Sequence, residues 1–338
     1  MAGRKQATVY LEYQPYIDAA PVAAEQQYSR ACENDKTTID SWREQWIQQY
    51  RANHAIYGPF KDRSIGKLHK KLLNQPVFLV GSGPSLKKNA PQLVGNHGIP
   101  IISCLHNFHY LEDLGVNVDY YVTLDAGDIT IKEVSEGGNP DVDYWAKTKG
   151  KTLLAFAGSH PNLLARWQGE ILFFNCPIPD KSVEEEFAKI EKFRTLVSCG
   201  GNVLGACLYI AKAFLGCSTS IYLGADFSFS YEEKFHAWDT DYDANLGQVM
   251  RVRDIYGIPV KTWRSYDNFK QWFCWVAQRV PGQYINCTEG GTLGAYNEGN
   301  LRNIIQMDLA DVLTQYGLSE HMRDQAENPG TDTDKILF

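Results

Sequence analysis

The chain has 338 residues, of which 44% are hydrophobic and 22% charged, so it carries enough apolar side chain to bury a sizeable core and is not a disordered polymer. Its formal charge of −7, from 40 acidic and 33 basic residues with no long basic run, argues against a charge-driven nucleic-acid coat or a binder of anionic membranes. No stretch approaches the roughly 18 to 20 apolar residues of a spanning helix, and the first residues lack the apolar core of a secretion signal, so a soluble, cytoplasmic protein is expected.

In chain order, residues 1–74 read as a helical N-terminal extension. Between Thr38 and Tyr57, Ile39, Trp42, Trp46, Ile47 and Tyr50 recur at three- and four-residue spacing, which predicts an amphipathic helix that caps the main domain. From Gln75 the pattern changes to short apolar runs, each followed by a helical segment: Val77 to Val80, Pro100 to Cys104, Tyr120 to Leu124, Thr152 to Phe156, Ile171 to Asn175 and Ser220 to Leu223. Strands buried on both faces and alternating with helices predict an α/β, Rossmann-like domain over 75–317, with a mostly parallel sheet and helices on both faces. The segment Asn202 to Leu215 is apolar nearly all round and is expected to be an interior helix. An irregular acidic and aromatic stretch follows Asp226 to about Asp243. Then come a helix near Tyr266 to Arg279, a strand Gln283 to Cys287, a glycine turn and a last helix near Glu298 to Gln315. The polar tail, 318–338, is expected to be disordered. The eight cysteines sit singly, mostly inside apolar segments, and read as buried free thiols.

The sharpest motif is Val77-Phe78-Leu79-Val80-Gly81-Ser82-Gly83-Pro84-Ser85-Leu86, a buried strand running into a glycine turn and a helix. Gly81 and Gly83 allow a tight turn and a close approach, and Pro84 suits a first helical position because its missing N–H has no partner to lose there. The N–H groups of Ser85 and Leu86 would face an anion, and a phosphate fits. The motif lacks both the Gly-Lys-Ser/Thr ending of a P-loop and the third glycine of the dinucleotide fingerprint.

Asp125 and Asp226 stand at the carboxyl ends of predicted parallel strands, where open α/β sheets place ligands; they could hold Mg²⁺, bind ribose hydroxyls, or serve only as caps. Asp128 follows in the same loop as Asp125. His236 lies on a loop with few apolar anchors and suits a general base or a phosphate donor. The run Asp239-Thr240-Asp241-Tyr242-Asp243 starts like a calcium loop, but Ala244 and Met250 occupy the positions that need glycine and glutamate, which excludes an EF-hand. His106 and His109 have metal-compatible spacing without a regularly spaced third ligand. The aromatic run Trp263, Tyr266, Phe269, Trp272, Phe273 and Trp275 reads as packing, with a sugar- or base-stacking role for any exposed member. In Glu289-Gly290-Gly291 the glycines suit either a turn or a close backbone approach to a ligand.

Taken in order, GSGPSL, Ser103 to Phe108, Asp119 to Asp125, Gly200-Gly201-Asn202-Val203, Leu223 to Phe227 and Tyr284 to Gly291 resemble the MptE-like (6-hydroxymethylpterin diphosphokinase-like) proteins and the Maf flagellin glycosyltransferases. A more distant similarity links them to bacterial sialyltransferases that use CMP-activated sugars. The resemblance spans about residues 75 to 300. It implies a nucleotide seat at Gly81, Ser82, Gly83, Pro84, Ser85, Asn107, Asp125, Gly201 and Asn202, and a substrate contact at Glu289, Gly290 and Gly291. It also implies catalytic roles for Asp226 and His236, with Asp125 and Asp226 as candidate metal ligands. The sialyltransferase pattern departs after Gly224-Ala225-Asp226, where Ser228, Ser230 and Tyr231 stand in place of its tyrosines.

The leading expectation is therefore a nucleotide-dependent transferase, most simply a glycosyltransferase moving a sugar from a nucleotide-sugar donor to an acceptor hydroxyl, with or without Mg²⁺. The alternatives are an ATP- and Mg²⁺-dependent diphosphokinase acting on a pterin-like alcohol, and a non-catalytic nucleotide-binding accessory protein. The partner is a nucleotide-activated small molecule. The sequence leaves the acceptor (glycan, protein, metabolite or modified base) and an oligomeric state open.

Overall fold

The computed structural model describes residues 21–95, 98–238, 249–294 and 303–316, with side chains from residue 36 onward. A long helix, α1 (Pro21–Tyr57), leads through two short 3₁₀ turns into β1 (Pro76–Val80), α2 (Leu86–Asn89), β2 (Ile101–Cys104), α3 (Phe108–Leu114) and β3 (Tyr120–Thr123). Then follow α4 (Ile129–Glu133), α5 (Tyr144–Lys147), β4 (Thr152–Phe156), α6 (Pro161–Arg166), β5 (Glu170–Phe174) and α7 (Lys181–Ile190). The second half contains α8 (Val203–Tyr209), β6 (Thr219–Leu223), β7 (Val249–Arg253), β8 (Pro259–Trp263), α9 (Arg264–Arg279), β9 (Gln283–Asn286), β10 (Ile305–Gln306) and α10 (Leu309–Tyr316).

Eight strands form one sheet in the order β10-β9-β6-β1-β2-β3-β4-β5, every neighbouring pair parallel. This is the Rossmann-like α/β arrangement expected from runs such as Val77 to Val80, each of which is essentially inaccessible to water. The chain builds outward from β1 to β5, then crosses back and builds in the other direction from β6. Loops leaving β1 and β6 therefore diverge, and the sheet opens a crevice at their carboxyl ends.

α8 runs on as a π-helical turn, Ile210–Leu215, and ends at Gly216 with φ +78°. Its buried face, including Leu204, Ala206, Leu208 and Ile210, matches the all-round apolar pattern of the sequence. α1 lies against the same body: Tyr50 is fully buried and stacks on Phe187 of α7 at 4.1 Å. Farther along, the Asn53 side-chain amide donates to the carbonyls of Ala157 and Ser159 at 2.9 and 2.7 Å.

Three features depart from the expected elements. Lys61 to Asn74 is not a continuing helix but 3₁₀ turns (Phe60–Arg63 and Ile65–Leu68) and further turns. Between Val249 and Trp263 stands an antiparallel hairpin outside the main sheet, whose turn is tied by the Asp254 carboxylate accepting from Tyr256 and Ile258 amides at 2.9 and 2.7 Å. Its strands alternate charged and apolar residues and bury little, so no apolar run marks them. Of the last expected helix, the described residues show Leu309–Tyr316 as helical, while Ile305 and Gln306 instead pair with β9 and the Glu289 carboxylate accepts the Leu309 amide at 3.2 Å; Glu298 lies outside the described residues. The acidic run 239–243 and the tail 318–338 lie outside the described residues. Of the seven cysteines whose side chains are described, five are buried.

Candidate functional site

The crevice at the switch point is a cleft of about 200 Å³ whose floor is the glycine turn after β1. That turn is stitched to the exit of β6: the Gly81 amide donates to Leu223 O at 2.8 Å and the Gly83 amide to Gly224 O at 2.9 Å. A Cβ on Gly81 would lie 2.6 Å from Gly224 O, and one on Gly83 would overlap the Asp226 carboxylate. Close approach, rather than a left-handed backbone, is what demands glycine at both places. Asn107, completely buried, braces the turn from behind; its amide donates to Val80 O and Gly81 O at 3.1 Å and to Ser103 Oγ at 3.0 Å. The side chain that the family resemblance assigns to a nucleotide therefore shapes the loop and does not line the cleft.

Asp226 fills the space that Gly83 vacates. Its Oδ2 accepts from Ser85 Oγ at 2.7 Å and its Oδ1 from the Ser85 amide at 3.3 Å, while the Leu86 amide donates to Gly83 O at 3.1 Å. The amides expected to greet an incoming anion are thus engaged by the protein's own groups. Pro84 carries no N–H, and Ser82 keeps the turn's remaining amide, without an intramolecular acceptor among the described residues. Burial pushes the Asp226 carboxyl up to about 7, against the opposing pull of the Ser85 hydroxyl and amide.

Behind Asp226 stands the turn Asn286 to Gly291. The Ala225 amide donates to Thr288 Oγ1 at 3.2 Å, the Thr292 amide donates to Asp226 O at 2.7 Å, and Gly291, at φ +67°, lies against the Asp226 backbone where a Cβ would not fit. Glu289 pairs with Lys88 and accepts from Asn89 Nδ2 at 3.2 Å. Glu289, Gly290 and Gly291 therefore back the Asp226 loop and do not line the cleft.

Two carboxylates face the cleft from the far side, Asp125 after β3 and Glu133 at the end of α4. The Asp125 side chain is exposed at the cleft, while the protein atoms packed around it raise its pKa. Burial, then the Asp125 and Glu136 charges, push Glu133 up to about 8. Glu133 was not legible as a site residue from the sequence; the available signal was a short helix placing an acid eight residues beyond Asp125. Asp128 instead points to solvent and accepts from His160 Nε2 at 2.7 Å.

His236 reaches over the glycine turn, its Nδ1–H donating to Ser82 O at 3.1 Å, which leaves the lone pair of the neutral ring on Nε2. Its ring stacks on Trp238 at 5.1 Å and meets His106 edge-on at 4.5 Å. Burial and the neighbouring His106 push its pKa down to about 3. His106 is itself pushed down to about 4 by burial and donates to Glu136 at 3.2 Å, while His109 is buried against Trp238. Among the described residues, no three His, Cys, Asp or Glu side chains converge on a metal position.

A second cavity, about 730 Å³, opens on the other side of Asp125. Gly201 and Asn202 lie on its wall; Asn202 Oδ1 caps α8 by accepting from the Gly205 amide at 2.9 Å, and Gly201, at φ +88°, is pressed against Phe269. Asp125, Asn202, Val203, Tyr266 and Phe269 line both cavities. Of the aromatic run, Trp272 and Phe273 belong to the core and Tyr266 and Phe269 to the site.

Fold and site together define a Rossmann-like α/β protein with a cleft at the point where its strand order reverses. The profile of the family described as 6-hydroxymethylpterin diphosphokinase MptE-like matches residues 52–232, more than half of the chain, and the chain belongs to that family. The match takes in the glycine turn, Asp125, Glu133 and Asp226, and stops short of His236. Among solved structures, the MAf glycosyltransferase from Magnetospirillum magneticum AMB-1 is similar, with a TM-score of 0.53 and 15% identity over 73% of this chain and 38% of that one. The likeness is one of fold, and this chain spans well under half of that protein's length. No curated protein matches the chain.

Proposed function

We propose that the protein is a transferase of the glycosyl type, holding a nucleoside-phosphate sugar in the β1/β6 crevice and passing the sugar to a hydroxyl. The observation that carries this reading is the character of the cleft wall. Among the described residues it presents Asp125, Glu133 and Ser82 beside Phe235, Tyr266 and Phe269, and no lysine or arginine. Carboxylates accept hydrogen bonds from sugar hydroxyls and aromatic faces stack on sugar rings, whereas a triphosphate tail would bring more negative charge to this wall than the shorter phosphate link of a sugar nucleotide.

Within this reading the Ser82 amide and hydroxyl are donors to the donor's phosphate, and Asp226 holds the turn in shape through Ser85. A general base works best when its pKa lies near the operating pH. His236, held near 3, takes a proton poorly and serves through Nε2 as a hydrogen-bond acceptor. The Asp125–Glu133 pair, both raised toward the working range of a general base, supplies from its ionised member the base toward the acceptor hydroxyl.

A second reading, diphosphoryl transfer from ATP, draws support from the same pair and from the family's description. Two oxygen ligands beside a phosphate suit Mg²⁺, which fills its remaining positions with water and phosphate oxygens and would neutralise the tail. Equilibrium dialysis against CMP-, UDP- and GDP-sugars and ATP, with and without Mg²⁺, followed by assay of released nucleoside phosphate, tests both. Glycosyl transfer requires that a sugar nucleotide binds and is consumed. ATP consumption abolished by EDTA, with no sugar nucleotide bound, would replace this reading by the second.

A further inference from the structure

We propose that the 730 Å³ cavity between α1 and the tips of β3 to β5 is the acceptor pocket, and that it takes an uncharged alcohol with an apolar, ring-sized body. The inference rests on the transferase reading of the neighbouring cleft and adds the class of the second substrate. Size comes first: the volume lies within the range of pockets that enclose small organic ligands. Chemistry comes second. Trp42 and Trp46 of α1, Phe156 and Ile178 offer an apolar wall, Phe269 another, and the described lining holds no lysine or arginine to pair with an anionic acceptor. Trp42 and Trp46 are only half-buried, and Trp46 meets Phe156 edge-on at 6.4 Å. Apolar surface left accessible inside a cavity gains most from an apolar ligand.

Position comes third. Among the described residues the pocket's one lining carboxylate is Asp125, and Asp125 stands on the wall shared with the donor cleft, as do Asn202 and Tyr266. An alcohol with its body against the tryptophans presents its hydroxyl there. The acceptor O–H then gives its proton to the ionised member of the Asp125–Glu133 pair as its oxygen bonds to the anomeric carbon. The bond from that carbon to the donor phosphate oxygen breaks, and its electron pair leaves with the nucleotide. α1 fixes this geometry: Gln45 and Gln49 side-chain amides each donate to Ala126 O at 2.8 Å, one residue beyond Asp125. The helix that caps the fold thus also builds half of the pocket and holds the loop of its reacting carboxylate.

The probe is 2-naphthylethanol, titrated calorimetrically into the full chain with and without a saturating nucleotide sugar. The expected result is one site, occupied equally in both cases. Trp42→Ala should weaken the probe about tenfold while donor affinity changes less than about twofold. A measurement without substitution accompanies it: Cys199 lines the cavity and is partly accessible, so the probe at about twice its dissociation constant should slow its alkylation by N-ethylmaleimide about threefold. Displacement of the probe by the donor, an unchanged affinity in Trp42→Ala, or unprotected Cys199 overturns the proposal. Donor that fails to bind the native chain counts against the transferase reading alone, because probe binding and Cys199 protection still report on the pocket.

Discussion

Replacing Asp226 by asparagine removes a titrating group from the interior while keeping its shape. Asp226 is 5% exposed, and burial raises its pKa from 3.8 to about 7 in the folded chain. The folded state holds this proton more tightly than the unfolded state, so the group's contribution to stability is complete below about pH 3.8 and is lost as pH rises through about 7. A rise of about three pKa units corresponds to about 4 kcal/mol lost across that window. Against it, the amide gives up the charge-assisted part of the Ser85 contacts, about 1–2 kcal/mol at high pH. Urea unfolding of native protein and Asp226→Asn at half-unit steps from pH 4.5 to 8 gives the difference in stability as a function of pH. The variant should gain on the native protein steadily as pH rises, by up to about 4 kcal/mol, and become the more stable of the two above neutrality. Two parallel curves would refute the burial argument, because they would mean that Asp226 titrates alike in both states.

Asp125→Asn and Glu133→Gln should each lower turnover by about 100-fold or more and leave donor binding within a few-fold, checked by initial rates beside calorimetry. In Asp125→Asn the loss of a neighbouring negative charge should also bring the Glu133 pKa down from about 8, moving the limb of the pH–rate profile that Glu133 sets to lower pH. Asn107→Ala strands the Val80 and Gly81 carbonyls beneath the glycine turn and should cost about 2–4 kcal/mol in urea unfolding. The double substitution Gln45→Ala with Gln49→Ala should cost about 1–2 kcal/mol, with faster amide exchange concentrated at Ala126 and its neighbours as the signature of a loosened loop.

The sheet was readable because its strands are buried on both faces: Val77 to Val80 and Thr152 to Phe156 are apolar runs that no solvent-facing strand would carry. The β7–β8 hairpin was not, since a ribbon outside the sheet buries only part of each side chain and keeps Arg251, Arg253 and Lys261 in its strands. At the site, sequence located the glycine turn, Asp125, Asp226 and His236, all of which line one cleft. It did not show that Asp226 answers Ser85, a contact 141 residues apart in the chain and fixed only by the pairing of β1 with β6. Glu133 escaped for a similar reason. Its importance lies in standing with Asp125 on one wall of the cleft, and no local pattern encodes that. The Glu289-Gly290-Gly291 turn shows the converse: a motif visible in sequence whose glycine serves backbone packing against Asp226.

Turnover of a panel of nucleoside-phosphate sugars by the native chain and by Ser82→Trp decides whether the β1/β6 crevice is a donor site. Tryptophan at Ser82 would fill the cleft above the glycine turn without touching the buried core. At least one sugar nucleotide should be bound and consumed by the native chain, and neither should occur in the variant, with its circular dichroism unchanged. Equal binding in the two proteins, or consumption of ATP with no sugar nucleotide bound, would contradict it.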